Sequence, residues 1–369
     1  MGSARATTLA QGFSQRLLKE VYDRSLLDEI VNRDYQGEIN EVGSKLNILN
    51  IDRISEKTYN GNDLSADSLL ENNSILIIDQ WKSFYWREKT IDNWRSYIRD
   101  PHATVVAQKA DERNKNMDTF AFGLYGDVAA GNRVGTDYTT GTVTVDADGN
   151  VTGSSTTFTA AMVGRGFKAS GHTKWYRVKS RSSNTAIVIE DDLDDTTSAY
   201  TGGAIAGGAT YTIEANTALQ ITTSNLLEKV ADLREKLDKA EANSKSSVPD
   251  QGRFLIVPPE FNNIVVRASG VALHVPEVYD GLVKKGFQGM LLGFKVFVSN
   301  RLTGNNTDGY RCLAGHPNWL TFAEKLLESD IEEDLIGNFG SAYKDLFVYG
   351  AKVTDARRHF AAEGFFTFA

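Results

Sequence analysis

Few residues in this chain stand at spacings that would serve a reaction. Gly164, Gly166 and Ala169 fall in the relaxed dinucleotide spacing within Gly-Arg-Gly-Phe-Lys-Ala. That motif works only when a strand precedes it and a helix N-terminus follows, so that backbone amides point at a pyrophosphate. Its surroundings here are Thr-rich and β-like, which predicts no nucleotide site. Asp146, Asp148 and Asn150 alternate as in a calcium loop, but Gly149 comes too early and no Glu closes the loop. Asp148-Gly149 reads instead as a hairpin turn. The run Glu190, Asp191, Asp192, Asp194, Asp195 would attract a divalent cation or form a solvated acidic loop, and like charges in sequence favour the loop. Cys312 and His316 have the spacing of one helix face, yet Gly315 and Pro317 argue against a helix there. No Gly-x-Ser-x-Gly elbow, His-Glu-x-x-His pair or Walker loop occurs. The sequence therefore predicts no catalytic, cofactor-binding or metal-binding residues, and a protein that is not an enzyme.

What remains is aromatic. Trp81, Phe84, Tyr85, Trp86 and Trp94 sit beside Lys82, Arg87, Lys89 and Arg95. Two readings stand: a stacking platform for single-stranded nucleic acid, or a packed hinge in which aromatics supply area and Arg stacks on them. The totals favour packing. A net charge of −8 argues against gripping phosphates, which takes clustered Lys and Arg. The same mild acidity suits a wall that encloses nucleic acid without sticking to it. One cysteine, Cys312, excludes an intramolecular disulfide framework and a cysteine zinc site, and suits a reducing cytoplasm. No apolar run approaches the length of a membrane helix, and the first residues lack a signal-peptide core. With 369 residues, 41% of them hydrophobic, two or three domains are expected.

The elements that would carry these residues follow from periodicity. Residues 1–11 are small and polar and predict a loose tail. From Phe13 to about Arg33, the positions Phe13, Leu17, Leu18, Val21, Leu26, Leu27 and Ile30 recur at helical spacing, with Ser25 as a break. β-like runs follow at Lys45–Ile51, Ser74–Ile78 and Trp81–Trp86, around the turn Tyr59-Asn60-Gly61-Asn62-Asp63. They predict a long hairpin. A two-stranded ribbon is marginal in water and needs a surface, either its own domain or another molecule. Pro101 opens the longest helix, which runs to about Tyr125 and stops at Gly126, since Pro is favourable in a first turn. Val105, Val106, Ala110, Met117, Phe120, Ala121 and Leu124 form its apolar stripe; Lys109, Asp111, Glu112, Arg113 and Lys115 are assigned to solvent.

Between Gly131 and Glu214 the chain turns Thr- and Gly-rich, with one Leu and no Pro, which favours strands and tight turns. Strands are expected at Gly141–Val145, Thr156–Phe158, Trp175–Ser180, Ala186–Glu190 and Thr210–Ile213. As an insertion, this segment should enter at Gly131 and leave near Ala215 at neighbouring points. Asn225, with Glu228 three residues on, predicts a capping box for a helix whose stripe is Leu226, Leu227, Val230, Leu233 and Leu237. After a Ser-rich loop, Phe254–Val257 reads as a buried strand stopped by Pro258-Pro259. A helix Glu260–Ala268, with Phe261, Ile264 and Val265 on one face, precedes Gly270. Phe294–Ser299 alternates, with Phe294, Val296 and Val298 inward. Later strands are expected at Tyr310–Ala314, Trp319–Ala323, Asp345–Thr354 and Phe365–Phe368, with the acidic run Glu328–Asp334 among them.

Strand, Pro-Pro-Glu-Phe helix, loop and Gly293-Phe-Lys-Val-Phe-Val-Ser-Asn300, preceded by a helical arm, a long hairpin and a long helix, form an order that resembles the major capsid proteins of tailed bacteriophages. The resemblance implies an α+β fold of the Hong Kong 97 type. Its parts would be an N-terminal arm (1–37), an extended hairpin or E-loop (38–90), a spine helix with part of the peripheral domain (91–130), an inserted small all-β barrel domain (131–215), an axial domain (216–320) and a return to the peripheral domain (321–369). It also implies self-assembly, as hexamers and pentamers, into the icosahedral head shell enclosing double-stranded DNA, in a virion assembled in the host cytoplasm. A separate scaffolding protein, a portal and optionally a decoration protein would be partners, with no cofactor and no membrane. The subunit-interface residues expected on this basis are Phe13, Leu17, Val21, Lys57, Tyr59, Trp81, Trp86 and Arg95. Two alternatives remain at this point: a cellular, encapsulin-like cage subunit, and a binding module whose β insertion recognises glycans or a decoration protein.

Overall fold

Apolar alternation on either side of residues 52–70 and the Thr-rich composition after Gly131 both call for strands, and among the described residues the strands sort into four sheets. The computed structural model describes residues 25–35, 45–51, 71–90, 101–192, 199–239, 248–268, 287–332 and 339–369. Among these, the chain divides into two units, one drawn from residues 32–113 and 320–356, the other from 25–31, 114–319 and 357–369.

In the first unit, Lys45–Ile51 pairs antiparallel with Glu71–Ile77, from Lys45 opposite Ile77 to Ile51 opposite Glu71. The expected turn at 59–63 lies outside the described residues. Ile48, Leu76 and Ile78 turn inward against Ala323 and Val348. Gly350 lets this ribbon approach, since a Cβ there would lie 2.5 Å from the Ile77 carbonyl oxygen. The second sheet is Thr321–Glu332, Gly340–Lys352 and Gln80–Lys89, in that order and antiparallel throughout. Trp81–Trp86 is therefore not a hairpin strand but part of an edge strand of this sheet. The strand expected at Trp319–Ala323 begins only at Thr321, because Pro317–Trp319 is a 3-10 turn, and it continues into the acidic run as far as Glu332.

The helix Pro101–Gly123 ends in the 3-10 turn Leu124–Asp127. Two of its residues correct the sequence reading. Lys109 and Arg113 are buried, at 1% and 5% exposure, where solvent was expected. Aromatic rings and a buried carboxylate receive their charges, a compensation that helical periodicity does not register.

In the second unit, eight strands follow the order Ile205–Ala209, Thr142–Val145, Asn150–Ser154, Ala186–Asp191, Tyr176–Ser183, Gly166–Ala169, Tyr211–Thr217, Thr136–Tyr138. Tyr138 and Ile205, from the two end strands, pack on one core with Val143, Phe158, Phe167, Ile187, Tyr211 and Ile213. The sheet must therefore curl on itself, although the ladder of described residues does not close between its ends. Thr156–Phe158 is not a strand. Ser155, at φ 57°, breaks the extended backbone, and Phe158 reaches the core from an irregular segment.

A mixed sheet completes this unit in the order Leu219–Ile221, Ala361–Phe368, Gly309–Gly315, Phe254–Val257, Phe294–Val298, Phe287–Leu291. Phe254–Val257 runs parallel to Phe294–Val298, as a strand-helix-strand crossover requires. Its helix is Glu260–Arg267, with Phe261, Ile264 and Val265 buried. In Phe294–Val298 it is Phe297, not Val298, that is fully buried, since an inner strand need not alternate. The closing strand Ala361–Phe368 is likewise internal and buried along nearly its whole length, so residues 321–369 do not form one piece. Helix Leu226–Asp238 buries Leu226, Val230, Leu233 and Leu237, while Leu227 is 40% exposed. Asn225 forms no capping box. Its side chain turns back, accepting from the Thr222 amide at 2.7 Å and donating to the Gln220 carbonyl at 2.9 Å. Of the helix expected over Phe13–Arg33, residues to Arg24 lie outside the described residues. The described part is one turn, Leu27–Ile30, which starts after Ser25, whose Oγ accepts from the Leu27 amide, and ends at the extended Val31.

Candidate assembly surface and a buried ion cluster

Cross-strand pairing fixes which side chains share a face of the three-stranded sheet. Phe84 lies opposite Asp345, Trp86 opposite Tyr343 and Lys82 opposite Phe347. On this face Lys109 places its ammonium 4.4 Å from the centroid of Phe84, and Arg113 lies 4.2 Å from that of Phe347. Arg113 also donates to Asp345 at 3.2 Å, with both groups buried. Burial, with neighbouring Arg113 adding to it, holds the Lys109 ammonium below its ordinary pKa although Asp345 opposes the shift. Trp86 stacks on Tyr343 with centroids 5.0 Å apart.

The opposite face is covered at one end only. Val348 is fully buried under the ribbon of 45–51 and 71–77. Trp81, opposite Val348, and Tyr85, opposite Lys344, are 51% and 52% exposed. Arg87 donates to the Tyr85 hydroxyl at 2.5 Å and lies over its ring. On the ribbon, Ile75 and Ile77 point away from Leu76 and Ile78 and are 43% and 53% exposed. A ribbon and an edge strand thus present four large apolar or aromatic side chains to solvent, more than scattered singles would.

The second unit contains a different construction. Glu363, on the closing strand, is completely buried and receives three guanidinium groups: Arg165 at 2.9 Å, Arg133 at 3.0 Å and Arg311 at 2.8 Å. Arg133 also binds Glu214 at 2.8 Å. Burial disfavours the Glu363 charge, but Arg165, Arg133 and Arg311 outweigh it and hold the carboxyl below its usual range. For Glu214 burial wins over Arg133, and its pKa is raised. The Gly131 amide donates to Glu214 at 2.8 Å, and the Ala215 amide donates to Asp137 at 2.9 Å. Entry and exit of the Thr-rich segment are therefore neighbours. Arg133, Arg165 and Glu214 from that segment meet Arg311 and Glu363 of the mixed sheet in one cluster.

Of the interface residues expected from sequence, Phe13, Leu17, Val21, Lys57, Tyr59 and Arg95 lie outside the described residues, as does Trp94. Trp81 is exposed, and Trp86 is half-buried against Tyr343. The structure does not gather the aromatics into one stacking row, because Phe84 and Trp86 face the helix side and Trp81 and Tyr85 the other. The glycine motif also resolves: Gly164 sits in a turn at φ 83°, and a strand, Gly166–Ala169, follows it where a nucleotide site needs a helix. Asp146 accepts from the amides of Asp148 and Asn150 within a hairpin turn. Asp191 binds Lys174 and Thr201, and Asp192 binds Arg358. Among the described residues no group of three His, Cys, Asp or Glu is placed to hold a metal ion, and no helix is long and apolar enough to cross a membrane. Sequence reasoning missed Ile75 and Ile77 as surface residues, and missed the five-residue ion cluster, whose members are scattered along the chain.

Comparison with known proteins agrees with this architecture. A family model described as "Phage capsid protein" matches residues 177–361, half of the chain. The fold is similar to that of a chain from Mycobacterium phage Che8, at 18% identity and a TM-score of 0.52, covering 93% of this chain and 90% of that one. It is similar also to the capsid of Ralstonia phage GP4, at 12% identity and a TM-score of 0.51, covering 91% of this chain and 87% of that one. None of the curated proteins matches.

Proposed function

Because this chain belongs to the phage capsid protein family and its copies build the head shell of a tailed phage, we propose that each copy holds its neighbours chiefly with the residues before Pro101. The observation that carries this reading is the exposure of Ile75 and Ile77 on a two-stranded ribbon whose other face is already buried. Such a ribbon gains from a second apolar surface, and in a shell that surface is another copy. Trp81 belongs to the same surface, with Phe13, Leu17, Val21, Lys57, Tyr59 and Arg95 contributing from the arm, the hairpin and the approach to the long helix. Trp86 acts indirectly, by bracing the edge strand against Tyr343.

The role is structural and not catalytic. Copies gather as hexamers and pentamers into an icosahedral shell around double-stranded DNA, which the net charge of −8 encloses without gripping. A separate scaffolding protein sets curvature, and a portal occupies one vertex. Residues 131–215 act as an inserted domain clamped to the mixed sheet, a reading supported by the adjoining entry and exit at Gly131 and Glu214. Electron microscopy of the purified full chain, alone and co-expressed with a scaffold candidate, tests the proposal. Uniform closed particles are expected. A chain that stays monomeric under every condition overturns it.

A further inference from the structure

The three-stranded sheet of the first unit has two edges that differ in sign. Gln80–Lys89 and Thr321–Glu332 flank Gly340–Lys352, and each strand pairs on that inner side only, apart from one bridge between Asn32 and Thr321, among the described residues. Pairing places Trp81, Ser83, Tyr85 and Arg87 on the same face as Lys325, Glu328, Asp330 and Glu332, through the shared partners Val348, Leu346, Lys344 and Ala342. On that face one edge is aromatic and basic, ending in the exposed Arg87 and Lys89. The other is acidic, with Glu328, Asp330 and Glu332 all exposed.

We propose that these two edges are mates: the strand Gln80–Lys89 of one copy docks beside the accessible part of the acidic strand, residues 325–332, of the next and continues the sheet from copy to copy. This rests on the assembly reading above and names a surface for it. Three observations select a second copy of this chain as the occupant. The basic edge is ten residues long, and the acidic edge is accessible from Lys325 to Glu332, beyond the buried residues 321–324, so the two overlap along their charged stretches. Their charges are complementary, Arg87 and Lys89 against Glu328, Asp330 and Glu332. Each edge also repels its own kind, so a two-fold pairing of like edges is disfavoured and a head-to-tail contact is left, the type that closes into rings. Within one copy Asp330 already binds Lys344 at 3.0 Å, but both are half exposed, so exchanging that partner for a neighbour's cation costs little. Trp81 and Tyr85 would lose solvent at the same seam, on the side away from its basic end.

The two strands of one copy run parallel to each other, since both are antiparallel to Gly340–Lys352. Head-to-tail continuation therefore makes a parallel seam. Its partners differ at every position, unlike those of a two-fold contact.

A charge swap in the full-length chain tests this. Arg87→Glu with Lys89→Glu reverses one edge; Glu328→Lys with Asp330→Lys reverses the other. Each reversal alone is expected to raise the protein concentration at which oligomers form by about tenfold or more, with the melting temperature of the unassembled chain unchanged. The two reversals together should restore oligomers, a rescue that a merely local role in folding would not produce. If either reversal assembles like the unaltered chain, or the combination fails to recover, the edge pairing is wrong while the shell reading stands. If the unaltered chain itself never associates, both fall. Salt dependence gives a second readout without substitutions: association that is indifferent to high salt overturns the charge-matched seam.

Discussion

Arg165 directs one guanidinium nitrogen at both carboxylate oxygens of Glu363, 2.9 Å from each, across 198 residues of sequence. This single contact ties the curled sheet of 136–217 to an inner strand of the mixed sheet. It also means that the Thr-rich segment cannot be removed cleanly. Without Arg133 and Arg165, the buried Glu363 keeps only Arg311.

Glu363→Gln leaves three guanidinium groups around a neutral amide. Breaking a buried charge set in this way is expected to cost about 3–5 kcal/mol, read from urea unfolding of the unassembled chain. Arg165→Met removes one of three partners and should cost less. Equal stability of the Glu363→Gln chain and the native one would refute the clamp.

In the first unit, Asp345→Asn strips the buried Arg113 of its countercharge, and a loss of about 3 kcal/mol is expected. Arg113→Lys keeps the charge but gives up the planar stacking on Phe347 and should be intermediate. Thermal melting of the three chains in parallel checks the order.

Stability should fall on mild acidification through a histidine. His172 accepts from the Ala169 amide at Nδ1, 3.2 Å, and its Nε2 meets the Tyr200 hydroxyl at 2.7 Å. Burial, with Lys168 assisting, depresses its pKa. A depressed value means the unfolded chain takes the proton first. The stabilisation is therefore complete above the ordinary histidine range, near 6.5, and is lost as pH falls through the lower folded value, with a slope of at most about 1.4 kcal/mol per pH unit. His316, depressed by burial and Arg253, adds in the same direction. His172→Asn keeps an acceptor near the Nδ1 position and cannot titrate, so its melting temperature should vary less between pH 7 and 5 (about the span of one histidine titration). Parallel curves would show that His172 carries none of the effect.

Two glycines should respond oppositely. Gly149 turns the Thr142–Val145 hairpin at φ 82°, and a Cβ would lie 2.5 Å from the Ile189 carbonyl oxygen. Gly149→Ala is expected to cost about 1–2 kcal/mol for the backbone alone, and more with the clash. Gly123, the last residue of the long helix, has open space around it. Gly123→Ala should gain up to about 1 kcal/mol. Melting both variants beside the native chain decides.

The amino-acid sequence by itself determined the element order, because apolar periodicity and punctuation by Pro and Gly act over a few residues. Lys45–Ile51, Phe254–Val257 and the long helix opening at Pro101 are legible for that reason, and so is the absence of reactive spacing. Local pattern assigns a face but not what will meet it. Lys109 and Arg113 look like solvent residues until Phe84, Phe347 and Asp345 arrive from distant strands to receive their charges. Thr156–Phe158 looks like a strand until the left-handed Ser155 bends it. Only the tertiary structure decided that Arg133, Arg165, Glu214, Arg311 and Glu363 form one buried cluster, and that the basic and acidic edges belong to one sheet. Such contacts bring together residues far apart in the chain, and their energy depends on shared burial, which no window of sequence contains.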